Sequence, residues 1–99
     1  MELKWINPEK LLPPHRVSRP VQVKQLAMEF VLNGWDTTKP ALIGYECDGF
    51  VQLLNGSHRH AAALQANIYV PVIVWPYEQV ERVWGRPEWL KLMASGDTY

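Results

Sequence analysis

The sequence lacks the features that mark several specialised classes of protein. It has one cysteine, Cys47, which excludes an internal disulfide framework and a cysteine-rich zinc module. It has no apolar run near the roughly 20 residues that span a bilayer. Its first residues have no apolar core of the kind found in a signal peptide. Together these absences predict a cytoplasmic protein without a membrane segment.

The sequence also has no net charge, since ten Lys and Arg balance ten Asp and Glu. A protein that binds long polyanions needs a broad basic surface, so the charge balance does not support DNA binding. Apolar residues make up 47% of the 99 residues, which is typical of a folded protein and argues against disorder. We therefore expect one domain over residues 1–99, with its core in residues 3–76 and a helical tail in 77–99.

Local patterns predict an α+β (mixed α/β) fold with a β-α-β-β-α-β core and one or two C-terminal helices. Strands are expected at residues 3–6, 41–45, 50–54 and 69–74, with a turn at Asp48-Gly49 between the second and third. Residues 8–19 show no regular pattern, although Leu11 and Leu12 are expected to be buried. The first helix is predicted to begin at Ser18 as N-cap and to end at Gly34. Five residues at helical spacing predict its buried stripe: Val23, Leu26, Ala27, Phe30 and Val31.

The most informative segment is residues 56–59, which we call the glycine turn. An apolar strand runs into Gly56 and then directly into a helix, an arrangement whose backbone N–H groups suit a phosphate. Arg59 adds hydrogen-bond donors for phosphate oxygens, and His58 is a candidate for phosphate binding or proton transfer. Ser57 either caps the helix or contacts the phosphate. The alternative is an ordinary turn with an exposed His and Arg.

Two further segments are candidate binding elements. Residues 15–19, which we call the basic loop, carry His15, Arg16 and Arg19 just before the first helix and offer a second phosphate contact. The Trp-rich tail, from Trp75 to Trp89, offers a surface for a protein partner, or for a second copy through Trp84 and Trp89, or else packs in the core. His60 is expected on the helix surface. No residue pattern predicts a metal site.

In the order and spacing of its motifs, the chain resembles the ParB/sulfiredoxin superfamily over residues 3–76. The motifs that carry the resemblance are Ile6-x-Pro8, Leu11-Leu12-Pro13, Leu32-Asn33-Gly34-Trp35, Lys39-Pro40-Ala41-Leu42-Ile43, Leu53-Leu54-Asn55-Gly56-Ser57-His58-Arg59, Ala61-Ala62 and Val70-Pro71-Val72-Ile73-Val74. The resemblance implies a nucleotide at the glycine turn. ParB proteins carry Gly-Glu-Arg-Arg there and bind CTP, sulfiredoxins carry Gly-Cys-His-Arg and use ATP, and a free-serine kinase branch carries Gly-His-His-Arg.

The chain departs from each branch of this superfamily. Ser57 stands where sulfiredoxin has its catalytic cysteine, which argues against sulfinic acid reduction. Arg16 follows Pro14-His15, where the kinase branch tends to carry an acidic residue. The 99 residues leave no room for the DNA-binding and dimerisation regions that follow this domain in ParB proteins.

The first functional hypothesis is therefore a domain that binds CTP or ATP, with Mg²⁺, through Gly56, Ser57, His58 and Arg59, assisted by His15, Arg16 and Arg19. Whether the nucleotide is hydrolysed or its phosphoryl group transferred stays open. A DNA-linked role in a plasmid or phage accessory protein follows from fold analogy alone. The second hypothesis is a non-catalytic interaction module that uses the Trp-rich tail. The third is a ParB-like nuclease or DNA-binding protein, against which the zero net charge counts.

Overall fold

The computed structural model describes residues 1–84, the last four by their backbone alone. The strands are β1 (Glu2–Ile6), β2 (Leu11–Leu12), β3 (Leu42–Cys47), β4 (Phe50–Leu53) and β5 (Val70–Trp75). The α-helices are α1 (Pro20–Asn33), α2 (Ser57–Ala66) and α3 (Tyr77–Trp84), and a 3-10 helix spans Pro8–Lys10. The predicted β-α-β-β-α-β order with a C-terminal helix is confirmed. Trp89 lies outside the described residues, as does the side chain of Trp84, so the structure does not test the proposed tail surface.

The five strands form one mixed sheet in the order β1-β5-β3-β4-β2. β1 is antiparallel to β5, and β5 is parallel to β3. The β3–β4 hairpin turns at Asp48 and Gly49, whose φ angles of 50° and 84° suit a tight hairpin turn. β2 pairs in parallel with β4, on the far side of the hairpin from β5.

Side chains alternate between the two faces of the sheet. Those on one face pack under α1 and α2 and form the core with residues of both helices. Its most deeply buried members include Leu42, Leu53, Val70, Val72 and Ala62. On the other face, Tyr77 of α3 lies 5.4 Å from Tyr45 of β3, measured between ring centroids. The sheet therefore carries two helices on one face and α3 on the other.

The structure corrects two expectations about α1. Arg19, rather than Ser18, is the N-cap residue, and no side chain of the described residues caps this helix. Val31 is 67% exposed, so the buried stripe ends at Phe30, with Leu26 half-buried. The predicted end at Gly34 is confirmed: its φ is 74°, and its N–H donates to the carbonyl of Phe30 at 2.8 Å. Within residues 1–84, no helix is long and apolar enough to cross a membrane.

Segment 8–12 contains two elements that the sequence analysis left irregular. Pro8–Lys10 forms a 3-10 turn that begins at Asn7, whose side chain accepts a hydrogen bond from the N–H of Glu9 at 2.9 Å. Leu11 and Leu12 then pair with Val51 and Gln52. Leu11 is buried, as predicted, while Leu12 is 40% exposed. Both elements lie directly before the basic loop of residues 15–19.

Candidate functional site

The glycine turn is anchored to strand β3 by its neighbour Asn55. The Asn55 carboxamide oxygen accepts a hydrogen bond from the N–H of Ile43 at 3.0 Å, and the N–H of Leu54 donates to the Ile43 carbonyl at 2.8 Å. These bonds fix where the chain leaves β4 and enters α2. Sequence reasoning missed this role, although an Asn before Gly is a known turn signal.

Gly56 itself has a left-handed backbone, with φ 84° and ψ 32°, and it is the N-cap of α2. A Cβ at this position would collide with the side chain of Leu42, which is fully buried. The space beside the Gly56 Cα that a side chain would need is thus occupied by Leu42 of the core. Glycine is needed here for both its backbone angle and its lack of a side chain.

Ser57 and His58 join the start of α2 to the basic loop. The Ser57 hydroxyl accepts a hydrogen bond from the N–H of His15 at 3.3 Å, and no side chain of the described residues caps α2. The Nε2 atom of His58 accepts from the N–H of Arg19 at 3.2 Å and lies 3.4 Å from the Ser18 hydroxyl. The structure therefore brings the two predicted binding segments together.

The hydrogen bond to Nε2 also fixes the state of the His58 ring. Because Nε2 accepts a hydrogen bond, the neutral ring carries its proton on Nδ1. The ring is only 2% exposed, and Nδ1 has no hydrogen-bond partner among the described residues. His58 thus holds a buried N–H donor beside the start of α2, where an anion would be its natural acceptor.

The basic loop presents its two arginines to solvent. Arg16 and Arg19 are exposed, whereas His15 is half-buried and its Nδ1 lies 2.7 Å from the carbonyl oxygen of Arg16. No Asp or Glu occurs in residues 11–28 or 49–77, the two segments that contain the basic loop and the glycine turn. These two segments therefore carry a net positive charge although the chain as a whole is neutral.

Arg59 contacts the segment that follows α1. Its Nη1 donates to the Pro40 carbonyl at 2.6 Å, and the guanidinium carbon lies 5.4 Å from the centre of the Trp35 ring, which itself stacks on Phe30. Arg59 also lines a cavity of about 420 Å³ whose other walls include Trp35, Asp36 and Lys39. The side chain is 9% exposed, so the alternative of an ordinary turn with an exposed His and Arg is wrong.

His60 is buried, not on the helix surface as predicted. It is 4% exposed, and its Nε2 lies 2.9 Å from the carbonyl oxygen of Pro8, to which the ring N–H donates. Burial lowers the pKa of His60 below its usual value of 6.5, and the hydrogen bond to Pro8 opposes this shift in part. His60 therefore links α2 to the 3-10 helix as a neutral ring.

This burial predicts a pH dependence of stability. The folded-state pKa is lowered, so the contribution of His60 is complete above about pH 6.5, the unfolded value. As the pH falls from there to the folded pKa, the unfolded state binds a proton first and stability is lost. We expect the free energy of unfolding to fall more steeply below pH 6.5 in the wild type than in His60→Gln, by at most about 1.4 kcal/mol per pH unit. Urea unfolding at a series of pH values measures this difference. An equal pH dependence of the unfolding free energy in the two proteins would contradict the assignment.

Among the described residues, no group of three or more His, Cys, Asp or Glu side chains is placed to hold a metal ion. Mg²⁺ in nucleotide sites is commonly bound by substrate phosphates with one or two carboxylates. The basic loop and the glycine turn supply donors for phosphate and no carboxylate of their own, while Glu29 and Asp36 line the cavity beside Arg59. The donors of the loop and the turn therefore suit an anion.

Comparison with known proteins finds similar folds among solved structures, at low sequence identity. No family model and no curated protein matches the chain. Among solved structures, sulfiredoxin from Arabidopsis thaliana matches with a TM-score of 0.61 and 18% identity, over 83% of this chain and 96% of its own. A C-terminally truncated ParB from Caulobacter crescentus, a chromosome-partitioning protein complexed with CTP-γ-S, matches with a TM-score of 0.63 and 15% identity, over 99% of this chain and 73% of its own.

The chain has a ParB/sulfiredoxin-like fold. This confirms the resemblance inferred from the motifs of residues 3–76 at the level of the fold. At these identities the fold by itself does not carry a function. The ligand of this domain therefore depends on its own glycine turn and basic loop.

Proposed function

We propose that this domain binds a nucleoside triphosphate, CTP or ATP with Mg²⁺, through its phosphates at the glycine turn. The observation that carries the proposal is the joining of the basic loop to the start of α2 by Ser57 and His58. This loop carries two exposed arginines, and no described side chain caps the helix to which it is joined. Helix N-termini and arginines are the two protein features that most favour phosphate.

The state of His58 supports the same ligand. A buried N–H donor without an acceptor is costly, and a phosphate oxygen would provide the missing acceptor. The ParB neighbour is a complex with CTP-γ-S, which is consistent with a nucleotide on this fold. Hydrolysis or phosphoryl transfer, with His58 as the residue for proton transfer, is a further step of the proposal. A DNA-linked role in a plasmid or phage accessory protein is another.

Binding of a nucleotide at the glycine turn requires the basic loop to change its conformation. Ser57 is fully buried under it, so phosphates reach the turn only if the loop shifts. The three contacts between loop and turn are 3.2 to 3.4 Å long, at or beyond the upper end of the normal hydrogen-bond range. We propose that phosphate oxygens take over these donors when the nucleotide binds.

The test is thermal unfolding of the full chain with CTP or ATP in the presence of Mg²⁺. A ligand at a hundred times its Kd stabilises the folded state by about 2.7 kcal/mol, which raises the Tm of a domain of this size by about 10 °C or more. Arg16→Ala and Arg19→Ala should each weaken binding about tenfold, since each removes one charge-assisted contact.

The matched control is Lys24→Ala, which removes an exposed cation from α1 outside both binding segments. It should leave the nucleotide affinity unchanged. Because Arg16 and Arg19 are exposed, their loss should not alter the Tm of the unliganded protein, which separates binding from folding. If neither nucleotide raises the Tm at millimolar concentration, the proposal is wrong.

A further inference from the structure

Strand β1 is an open edge of the sheet. It pairs with β5 on one side, and within residues 1–84 no strand pairs with its other side. The opposite edge, β2, has only two paired residues and is followed by Pro13 and Pro14, which offer no N–H. One edge is thus protected against a further strand, while the five residues of β1 are not.

Pro71 determines which backbone groups of β1 face outward. It lies opposite Trp5, and because proline has no N–H, these two residues cannot exchange the hydrogen bonds of a bonded antiparallel pair. Hydrogen-bonded and non-hydrogen-bonded pairs alternate along an antiparallel ladder. The backbone of Lys4 therefore hydrogen-bonds to β5, while Leu3 and Trp5 direct their backbone N–H and C=O groups to the open side. A partner strand would pair with these two residues.

The side chains of β1 are divided by the same alternation. Leu3 and Trp5 lie on the face away from α1 and α2 and are 58% and 53% exposed, which is unusual for large apolar side chains on adjacent positions of one face. Glu2 and Lys4 lie on the other face. There the Nζ atom of Lys4 lies 3.9 Å from Oε1 of Glu2 and 3.1 Å from Oε1 of Glu46. The edge therefore presents an apolar row on one face and alternating charges on the other.

We propose that the partner of β1 is β1 of a second copy of this chain, paired antiparallel with its two-fold axis at Leu3. This register places Glu2 opposite the partner's Lys4 and Lys4 opposite the partner's Glu2. Leu3 then forms a bonded pair with the partner's Leu3, using the outward backbone groups of both chains. Moving the axis to Lys4 would instead place the two lysines opposite each other, which is destabilising.

The two five-stranded sheets join into one sheet in this dimer. The apolar rows of the two copies become continuous on one face, which buries part of Leu3 and Trp5. Main-chain hydrogen bonds supply the affinity, and the charge pairs supply the register. Because a five-residue edge is short, we expect a dimer that dissociates on dilution. This inference is independent of nucleotide binding.

Sedimentation velocity of the full chain over a range of concentrations tests the proposal through a charge exchange. Glu2→Lys and Lys4→Glu each place like charges opposite each other twice in the dimer and should raise its dissociation constant about tenfold. The double variant, Glu2→Lys with Lys4→Glu, restores opposite charges at both places. It should recover most of the lost affinity.

A second measurement addresses the backbone. Leu3→Pro removes an outward N–H and an exposed side chain, and it leaves the backbone hydrogen bonds to β5 in place, so it should abolish the dimer and leave the Tm of the monomer little changed. The control is Leu32→Glu, at a 78% exposed position on α1, which should leave the dimer intact. A monomer at millimolar concentration, a dimer that Leu32→Glu disrupts, or a double variant no better than the single ones would each overturn the proposal.

Discussion

Replacing Gly56 by alanine should lower the free energy of unfolding by about 3 kcal/mol. A left-handed backbone costs a residue with a side chain about 1 to 2 kcal/mol. The added methyl group would also collide with Leu42, which is fully buried, and overpacking of this kind costs about 1 to 3 kcal/mol. Chemical denaturation of both proteins measures the difference.

Gly49 provides the matched control for this substitution. Its φ is also 84°, but within the described part of the chain no atom outside its immediate neighbours lies within 4 Å of the position that a Cβ would take. Gly49→Ala should therefore cost only about 1 kcal/mol. The double variant Leu42→Val with Gly56→Ala should cost less than the sum of its parts, because valine lacks the δ carbons that collide. Equal costs at Gly56 and Gly49 would contradict the packing that we assign to the turn.

Replacing Arg59 by alanine should have the next largest effect, on both stability and binding. It leaves the Pro40 carbonyl without its charged donor and removes the cation from the Trp35 ring. These losses amount to about 2 to 3 kcal/mol of unfolding free energy. If the guanidinium also contributes to phosphate binding, the affinity for CTP or ATP should fall by at least about tenfold.

Two further variants separate these roles of Arg59. Arg59→Lys retains the charge but cannot both stack on the ring and reach the carbonyl in the same way, so it should recover more binding than stability. Trp35→Leu removes the stacking partner and no cation, so it should lower stability alone. Calorimetric titration at a temperature where all variants are folded gives the affinities. Equal nucleotide affinity in the wild type and Arg59→Ala would exclude Arg59 from the site.

The elements that follow from local patterns were predictable from the sequence. The buried spacing of Val23, Ala27 and Phe30, and the glycine that ends α1, define that helix without reference to the rest of the chain. β2 was not predictable, because Leu11 and Leu12 form a strand only through pairing with β4, in which the partner of Leu11 is Val51, 40 positions away. The expected Ser18 cap failed for a similar reason: its hydroxyl lies beside the His58 ring instead of on the helix.

The candidate site was predictable in its composition and not in its burial. Glycine at the turn and basic residues in two segments are visible in the sequence. That His60 would be buried depends on a carbonyl acceptor at Pro8, 52 positions earlier in the chain. That Arg59 would turn toward Trp35 depends on the course of the chain after α1. Such contacts are set by tertiary packing, for which a single sequence carries no periodic signal.

The central claim is that nucleotide phosphates bind at the glycine turn beneath the basic loop. The most direct test is a titration of the isotope-labelled full chain with CTP and ATP in the presence of Mg²⁺, followed by the NMR signals of backbone amides. Addition of nucleotide should shift the amides of residues 56–59 and 15–19, and cytidine or adenosine without phosphates should not. Shifts confined to the cavity around Trp35 and Asp36, or no shifts at all, would contradict the account.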